Sequence, residues 1–313
     1  MSTRTIDIAV IGGGPAGLTA GLYAARGGAQ TVVFERQAAG GQIITTAEVE
    51  NYPAFPGGIS GLELGERMAA QATEQGAEIA LFTEVTAIAV EDGGSFLLET
   101  TDAPVSARAV IVATGAVPSK LGIPGEAEYT GRGVSWCATC DGAFYRDKVV
   151  AVIGGGDAAL EEAIFLTKFA RQVYLVHRRQ EFRAARVIVE RMERTPAVEP
   201  VLGYTPVEIL GDADTGKVCG LRVRCVADDS ERTLEVDGVF EFVGTTPIST
   251  LVAEGLVATD ARGYIRADAN GVTDLPGLFA AGDVTDGSLK QVVTAAGAGA
   301  SAGFAALHYL ENL

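Results

Sequence analysis

Two cysteines three positions apart, in Cys137-Ala138-Thr139-Cys140, are followed at once by Asp141 and stand shortly upstream of a glycine-rich loop, Gly154-Gly155-Gly156-Asp157-Ala158-Ala159. A CxxC pair cycles between dithiol and disulfide, and hydrogen bonding between its members lowers one thiol's pKa, which supplies the thiolate that attacks a disulfide. Asp141 adjoins Cys140 and is the best local group to exchange the protons of two-electron disulfide reduction, since neither histidine, His177 or His308, is close in sequence. Capping of the next turn is the competing role for this aspartate. A second loop, Gly12-Gly13-Gly14-Pro15-Ala16-Gly17, succeeds the apolar run Ile6 to Ile11 and opens a helical pattern, which is the context of a dinucleotide fingerprint. Two nucleotide loops and a dithiol in one chain imply electron relay.

The residues about 20 positions beyond each loop distinguish the two nucleotides, because in a dinucleotide fold an acidic residue there binds the adenosine ribose hydroxyls. Glu35 fills that place after Gly12, whereas the same interval from Gly154 reaches His177-Arg178-Arg179, with Arg183 expected one helical turn further on. A carboxylate there would repel a 2′-phosphate, and guanidinium groups bind one through charge-assisted, often bidentate bonds, so the second unit is expected to take NADP(H). Residues 168 to 194 hold eight basic and three acidic side chains within a chain of net charge -16. A solvated helix face is the competing reading, strongest for Arg186, Arg191 and Arg194. In the first unit Glu35 suits FAD or NAD, and Gly282-Asp283 favours FAD, because a carboxylate at a strand end before a glycine-rich helix can hold a ribityl chain while the helix N-terminus faces the flavin ring.

The elements that must position these groups form an internal repeat. Ile8 to Ile11 matches Val149 to Ile153, Thr31 to Phe34 matches Val173 to Val176, and Ala109 to Gly115, which contains Ala113 and Thr114, corresponds to Val239 to Gly244. The expected fold class is α/β, with two Rossmann-like, three-layer dinucleotide-binding domains, the second inserted into the first. The boundaries read as an FAD-binding first segment at 1–116, an NADPH-binding domain with the CxxC motif at 117–246, and a second FAD-binding segment at 247–313. Both junctions pair a glycine with a proline, Gly115 with Pro118 and Gly244 with Pro247, which suits hinge strands as well as ordinary turns.

Composition narrows the class. A chain of 313 residues, 48% hydrophobic, buries two cores, and 24 Lys and Arg against 40 Asp and Glu repel phosphate backbones and anionic membranes, so no nucleic acid partner is expected. No secretory pattern is visible and Val292 to Leu307 reads as a closely packed internal helix, so the expectations are a cytoplasmic location and no membrane span. With no second CxxC nearby, a zinc site is not expected. Cys219 and Cys225 are read as structural, on one face of an alternating strand and about 20 Å apart.

Together with Gly40-Gly41-Gln42, Glu50-Asn51-Tyr52-Pro53 and Gln291, these motifs resemble the low-molecular-weight, bacterial-type NADPH-dependent thioredoxin reductases over essentially the whole chain. The resemblance implies FAD contacts at Gly12, Gly14, Pro15, Ala16 and Gly17, at Glu35, Gly41, Gln42 and Asn51, at Ala113, Thr114 and Gly115, and at Gly282, Asp283, Lys290 and Gln291. It implies NADPH contacts at Gly154, Gly156, Asp157, His177, Arg178, Arg179 and Arg183. Cys140 would lie against the flavin, Cys137 would attack the partner disulfide, and Asp141 would serve as the acid/base. The partner would be thioredoxin and the assembly a homodimer. Nicotinamide and disulfide would both belong to the inserted domain and both need the flavin, so that domain would rotate between steps.

Three positions depart from the family pattern: Trp136 before the dithiol, Ser288-Leu289-Lys290, and the strand Phe240 to Val243. The rival activities are a flavin dithiol oxidase, which needs no pyridine nucleotide, and a reductase for another thioredoxin-like protein. A noncatalytic redox sensor is the alternative of another class.

Overall fold

A computed structural model of the chain describes residues 3–46, 49, 51–252 and 255–313. It divides into two compact units, Met1–Val117 with Thr246–Leu313, and Pro118–Thr245. In chain order the first unit contributes β1 (Arg4–Ile11), α1 (Pro15–Arg26), β2 (Thr31–Glu35), α2 (Gly61–Glu74), β3 (Glu78–Leu81), β4 (Val85–Val90), β5 (Phe96–Thr100), β6 (Val105–Val112) and β7 (Ala116–Pro118). The second unit contributes β8 (Val134–Ser135), the short helical turn α3 (Ala138–Asp141), β9 (Val149–Ile153), α4 (Asp157–Leu166), β10 (Gln172–His177), α5 (Arg186–Glu193), β11 (Val198–Leu202), β12 (Tyr204–Gly211), β13 (Val218–Cys225), β14 (Glu231–Glu235) and β15 (Gly238–Glu241). After β16 (Thr245–Pro247), the chain returns to the first unit as β17 (Leu278–Ala280) and α6 (Val292–Glu311). Strands β7 and β16 pair, and the boundary between the units falls within both.

The first unit is built on the parallel order β3-β2-β1-β6, with β17 on the second half of β6 and the antiparallel β4-β5 hairpin on its first half. Successive residues of β1 face opposite layers, as strand geometry requires. Ile8 and Val10 pack with Ala16, Ala20 and Ala24 of α1 and Ala302 of α6, whereas Ala9 and Ile11 pack with Phe96, Leu98 and Ile265. Burial on both faces is why Ile6 to Ile11 reads as an almost unbroken apolar run.

The second unit repeats this plan in the parallel order β11-β10-β9-β15-β8. Val150 and Val152 face Leu160 and Ala163 of α4, and Ala151 and Ile153 face Leu221 and Val223 of a separate antiparallel sheet, β12-β13-β14. Each unit thus has three layers, helices, a parallel sheet, and antiparallel strands on the far side.

The bulged register in β13 corrects one expectation. Val218 pairs with Gly211 and Gly220 with Leu210, so Cys219 is passed over, and the alternation shifts by one residue. Val218, Leu221 and Val223 are buried while Cys219 is exposed, so Cys219 and Cys225 do not share a face; both are free thiols.

Helices α1 and α6 meet along a seam of small residues. A Cβ on Gly299 would lie 2.0 Å from the carbonyl oxygen of Ala16, and one on Gly303 2.7 Å from that of Ala20. Gly297, two residues away on the exposed face, would meet nothing within 4 Å. Gly299→Ala is therefore expected to lower stability by about 1–3 kcal/mol, the cost of overpacking. Gly297→Ala is expected to raise stability by about 0.5–1 kcal/mol through helix propensity. Urea unfolding of the two variants checks both signs.

Candidate active site

Backbone proximity shapes the first loop. Gly12 has φ +109°, a Cβ there would sit 2.4 Å from the Ala113 carbonyl oxygen, and a Cβ on Gly17 would sit 1.7 Å from the carbonyl oxygen of Gly12. Gly14 is the N-cap of α1 with no side chain capping it, and Pro15 opens the first turn, so the uncapped amide N–H groups of the turn form an end suited to an anion. A Cβ on Gly41 would approach the Gly14 Cα to 3.0 Å, so the 40–41 turn lies directly against the loop.

Glu35, only 8% exposed at the end of β2, accepts from the Gly13 N–H at 2.7 Å and from the Gln37 N–H at 2.8 Å, one bond to each oxygen. Each oxygen keeps a lone pair for a hydroxyl. The end of β6 is stitched to the returning chain. Thr114 Oγ1 donates to the Ile248 carbonyl, the Ile248 N–H donates to the Gly115 carbonyl at 2.9 Å, and Gln42 Nε2 donates to the Ala116 carbonyl.

Beyond β17, a Cβ on Gly282 would lie 2.7 Å from the Ala16 side chain, which places Asp283 beside the first loop. Burial pushes the Asp283 carboxyl up, against the opposing bond from Ser288 Oγ at 2.8 Å and the nearby Lys290 charge. Gln291 is the N-cap of α6, which has no side-chain cap and no acid in its first turn, and its Oε1 accepts from Asn51 Nδ2 at 3.0 Å. The Lys290 ammonium lies over the Tyr264 ring, 5.1 Å from its centroid. Glu50, the first residue of the Glu50-Asn51-Tyr52-Pro53 motif, lies outside the described residues.

In the second unit a Cβ on Gly154 would meet the Phe242 carbonyl oxygen at 2.7 Å, whereas one on Gly156, the N-cap of α4, would meet nothing within 4 Å. The open side of Gly156 suits a ligand lying across the helix end. His177 is a prop beneath this loop. A Cβ on Gly155 would come within 2.3 Å of its ring, which stacks on Phe182 at 5.7 Å. Burial first, then the Arg183 charge, pushes His177 below the ordinary imidazole range, and its buried Nε2 has no partner among the described residues.

Arg183 does not stand one helical turn along. Helix α5 begins only at Arg186, because the 178–185 segment folds back on the loop: the Arg183 N–H donates to the Gly155 carbonyl and the Ala185 N–H to Asp157 Oδ1, both at 2.7 Å. Arg178, Arg179 and Arg183 are exposed and, among the described residues, in no ion pair; Arg186 and Arg194 reach Glu190 at 3.0 and 3.9 Å. Residues 179–183 line an open hollow of ≈ 440 Å³. Arg186 and Arg194 thus fit the solvated-face reading, and the three arginines nearest the loop keep their charge for an anion.

Cys137 and Cys140 form a disulfide at the start of α3. Cys137 Sγ accepts from the Cys140 N–H at 3.2 Å, with Thr139 Oγ1 at 3.3 Å. Ser135, the buried last residue of β8, orders the turn by accepting from the Cys137 N–H at 3.1 Å. Burial pushes the Asp141 carboxyl up, opposed by a bond from the Ser135 hydroxyl. Sequence reasoning misses Ser135, because a serine before a CxxC has no distinctive spacing. It also misses Glu241, although a carboxylate inside the apolar run Val239 to Val243 is a signal; Glu241 accepts from the Trp136 indole Nε1 at 3.0 Å. Among the described residues no group of three or more His, Cys, Asp or Glu could hold a metal ion.

Residues 6–299 match the family model described as pyridine nucleotide-disulphide oxidoreductase. The chain is 44% identical to the thioredoxin reductase of Listeria monocytogenes over 311 residues, covering 99% of this chain and 95% of that protein. It is a member of the thioredoxin reductase family. The family relative from Mycolicibacterium smegmatis is 45% identical over 307 residues, covering 98% and 97% of the two chains. The crystal structure of thioredoxin reductase from Streptococcus pyogenes superposes with a TM-score of 0.90 at 41% identity, with full coverage of both chains.

For this family member, the crowding at Gly12 makes a concrete prediction. Gly12→Ala is expected to leave a folded protein that purifies with little bound flavin, because the loop must move off Ala113 to admit the methyl group. Flavin absorbance per protein, read beside circular dichroism, checks it.

Proposed function

We propose that the chain takes two electrons from NADPH and passes them, through FAD and the Cys137–Cys140 pair, to the disulfide of a thioredoxin. The observation that carries this reading is the joint presence, in one unit, of a disulfide turn and, beside a glycine loop, three arginines with no carboxylate partner among the described residues. FAD, when bound, supplies the chemistry that converts hydride transfer into disulfide reduction. The first-turn amides of α1, Glu35 and Asp283 would hold its pyrophosphate, ribose and ribityl hydroxyls, and Gln291 at the start of α6, with Asn51 bonded to it, would hold its ring end. Gly154, Gly156 and the arginines suit the pyrophosphate and 2′-phosphate of NADPH.

The protein's own part is thiol and proton chemistry. Once the pair is reduced, the Cys140 N–H and the Thr139 hydroxyl stabilise a thiolate on Cys137. Cys137 Sγ attacks one sulfur of the partner disulfide, that S–S bond breaks, and the departing partner sulfur takes a proton. Cys140 Sγ then attacks Cys137 Sγ, which re-forms the internal disulfide and releases the second partner sulfur. Asp141, next to Cys140 in sequence and held protonated more readily by burial, would hold and return the proton of Cys140.

The arginine cluster favours this reading over a dithiol oxidase, which needs no pyridine nucleotide, and steady turnover separates it from a redox sensor. A homodimer is part of the proposal by family. No helix among the described residues is long and apolar enough to cross a membrane.

Anaerobic NADPH oxidation by the FAD-loaded protein, with and without oxidised thioredoxin, tests the reading, and thioredoxin-dependent oxidation is the expected result. Flavin reduction with no onward transfer would remove the partner assignment. Arg178→Ala and Arg179→Ala are each expected to raise KM for NADPH on the order of tenfold, the loss of one charge-assisted contact, with KM for NADH little changed. Equal effects on both cofactors would refute the 2′-phosphate role.

A further inference from the structure

The thiol and proton chemistry leaves the buried carboxyl of Glu241 unused. Glu241 ends β15 at 2% exposure and has one oxygen bonded to the Trp136 indole. Its other oxygen, also buried, has no donor among the described residues. Parallel pairing accounts for the Trp136 contact: Val239 opposes Val134 and Phe240 opposes Ser135, so the next pair in register is Glu241 with Trp136. Trp136 is bonded in sequence to Cys137. The end of β15 also reaches the glycine loop, since the Phe242 carbonyl stands where a side chain on Gly154 would fall. One strand end therefore adjoins both reactive segments of the unit.

A second buried carboxyl faces this one. Glu126, 3% exposed, accepts from the backbone N–H groups of Leu121, Gly122 and Ile123 at 3.2, 2.6 and 3.3 Å. Three donors suit an ionised carboxylate. Two ionised carboxylates cannot share a buried site, so the proton belongs on Glu241, where it converts the donorless oxygen into a donor toward Glu126.

We propose that Glu241 is a positioning residue for the redox turn: as an undissociated acid it donates to Glu126 and accepts from the Trp136 indole, pinning the strand end that carries Cys137. The pinning is a property of the fold, and its effect on thioredoxin reduction rests on the function proposed above. The groups acting on Glu241 are Glu126, which disfavours its ionisation, and Trp136 and Lys120, which favour it; burial is the largest influence, and its pKa is pushed up to about 8. The folded state thus holds a proton that the unfolded state releases near 4.5. The stability this contributes is full below that value and is lost as pH rises through about 8.

Trp136 is the only tryptophan of the chain, so the indole N–H resonance belongs to this residue and reports on its bond to Glu241. In the FAD-loaded protein the indole resonance is expected to titrate with a midpoint near 8, and Glu241→Gln, whose neutral amide can make the same two bonds, is expected to abolish the titration. Trp136→Phe is expected to slow thioredoxin reduction on the order of tenfold, the loss of one buried hydrogen bond, while NADPH reduces the flavin at the wild-type rate. Glu241→Gln should keep wild-type activity at neutral pH and lose less of it above pH 8. An indole signal constant across that range, the same titration in Glu241→Gln, or an unimpaired Trp136→Phe enzyme would overturn the proposal. If thioredoxin is no substrate, the function reading fails by itself and the indole titration still decides the state of Glu241.

Discussion

The backbone contact between Gly17 and the carbonyl of Gly12, with Ala113 closing on Gly12 from β6, sets the position of nearly everything else in the first unit. It lets α1 start directly above the carboxyl end of β1. Its uncapped first turn then sits where Gly282 can reach Ala16, and the Ala16 and Ala20 carbonyls lie against Gly299 and Gly303 of α6. A single methyl group at Gly17 would separate the helix from the strand and so disturb the loop, the Asp283 turn and the helix seam together. The second unit makes a comparable contact between Gly154 and Phe242, and adds the His177 ring under Gly155.

Charge works against that acidic background. A net charge of -16 repels a multiply charged nucleotide over most of the surface, and on the function proposed above the attraction is concentrated where Arg178, Arg179 and Arg183 have no ion-pair partner among the described residues. Their freedom has a structural cause. The fold-back held by Asp157 and the Gly155 carbonyl keeps these residues out of α5, where Glu190 engages Arg186 and Arg194. A continuous helix would have set Arg183 one turn from Arg186, a like-charge pair, so the fold-back spares the cluster that repulsion.

Legibility in the sequence depends on how local each signal is. The glycine loops, the apolar strands that precede them, and the acid-to-base exchange between Glu35 and His177-Arg178-Arg179 are short-range patterns with a mechanical reason, and they are readable. The repeated strand order is readable for the same reason, because each strand and its loop recur together. The contacts of Glu241 with Trp136 and Glu126 are not, since they join residues 105 and 115 positions apart through a two-residue edge strand and a loop. The bulge at Cys219 is equally hidden: alternation gives the period of a strand and says nothing of where the period slips. The fold-back of Arg183 depends on Asp157, which belongs by sequence to the nucleotide loop and carries no sign there of its bond to Ala185.

The two units also use corresponding edges differently. In the first, edge strand β17 runs out into Gly282-Asp283; in the second, edge strand β8, alongside the equivalent central strand, runs out into Cys137 and Cys140. One address in a repeated scaffold carries in one unit a buried acid, proposed above to meet hydroxyls, and in the other a sulfur pair. Strand β8 comprises only two residues, both paired to β15, with Val134 also bridged to Thr130 of the preceding loop. The sulfur chemistry therefore hangs from the shortest strand of its sheet, at the edge, where a shift of the turn leaves the register of the central strands unaltered.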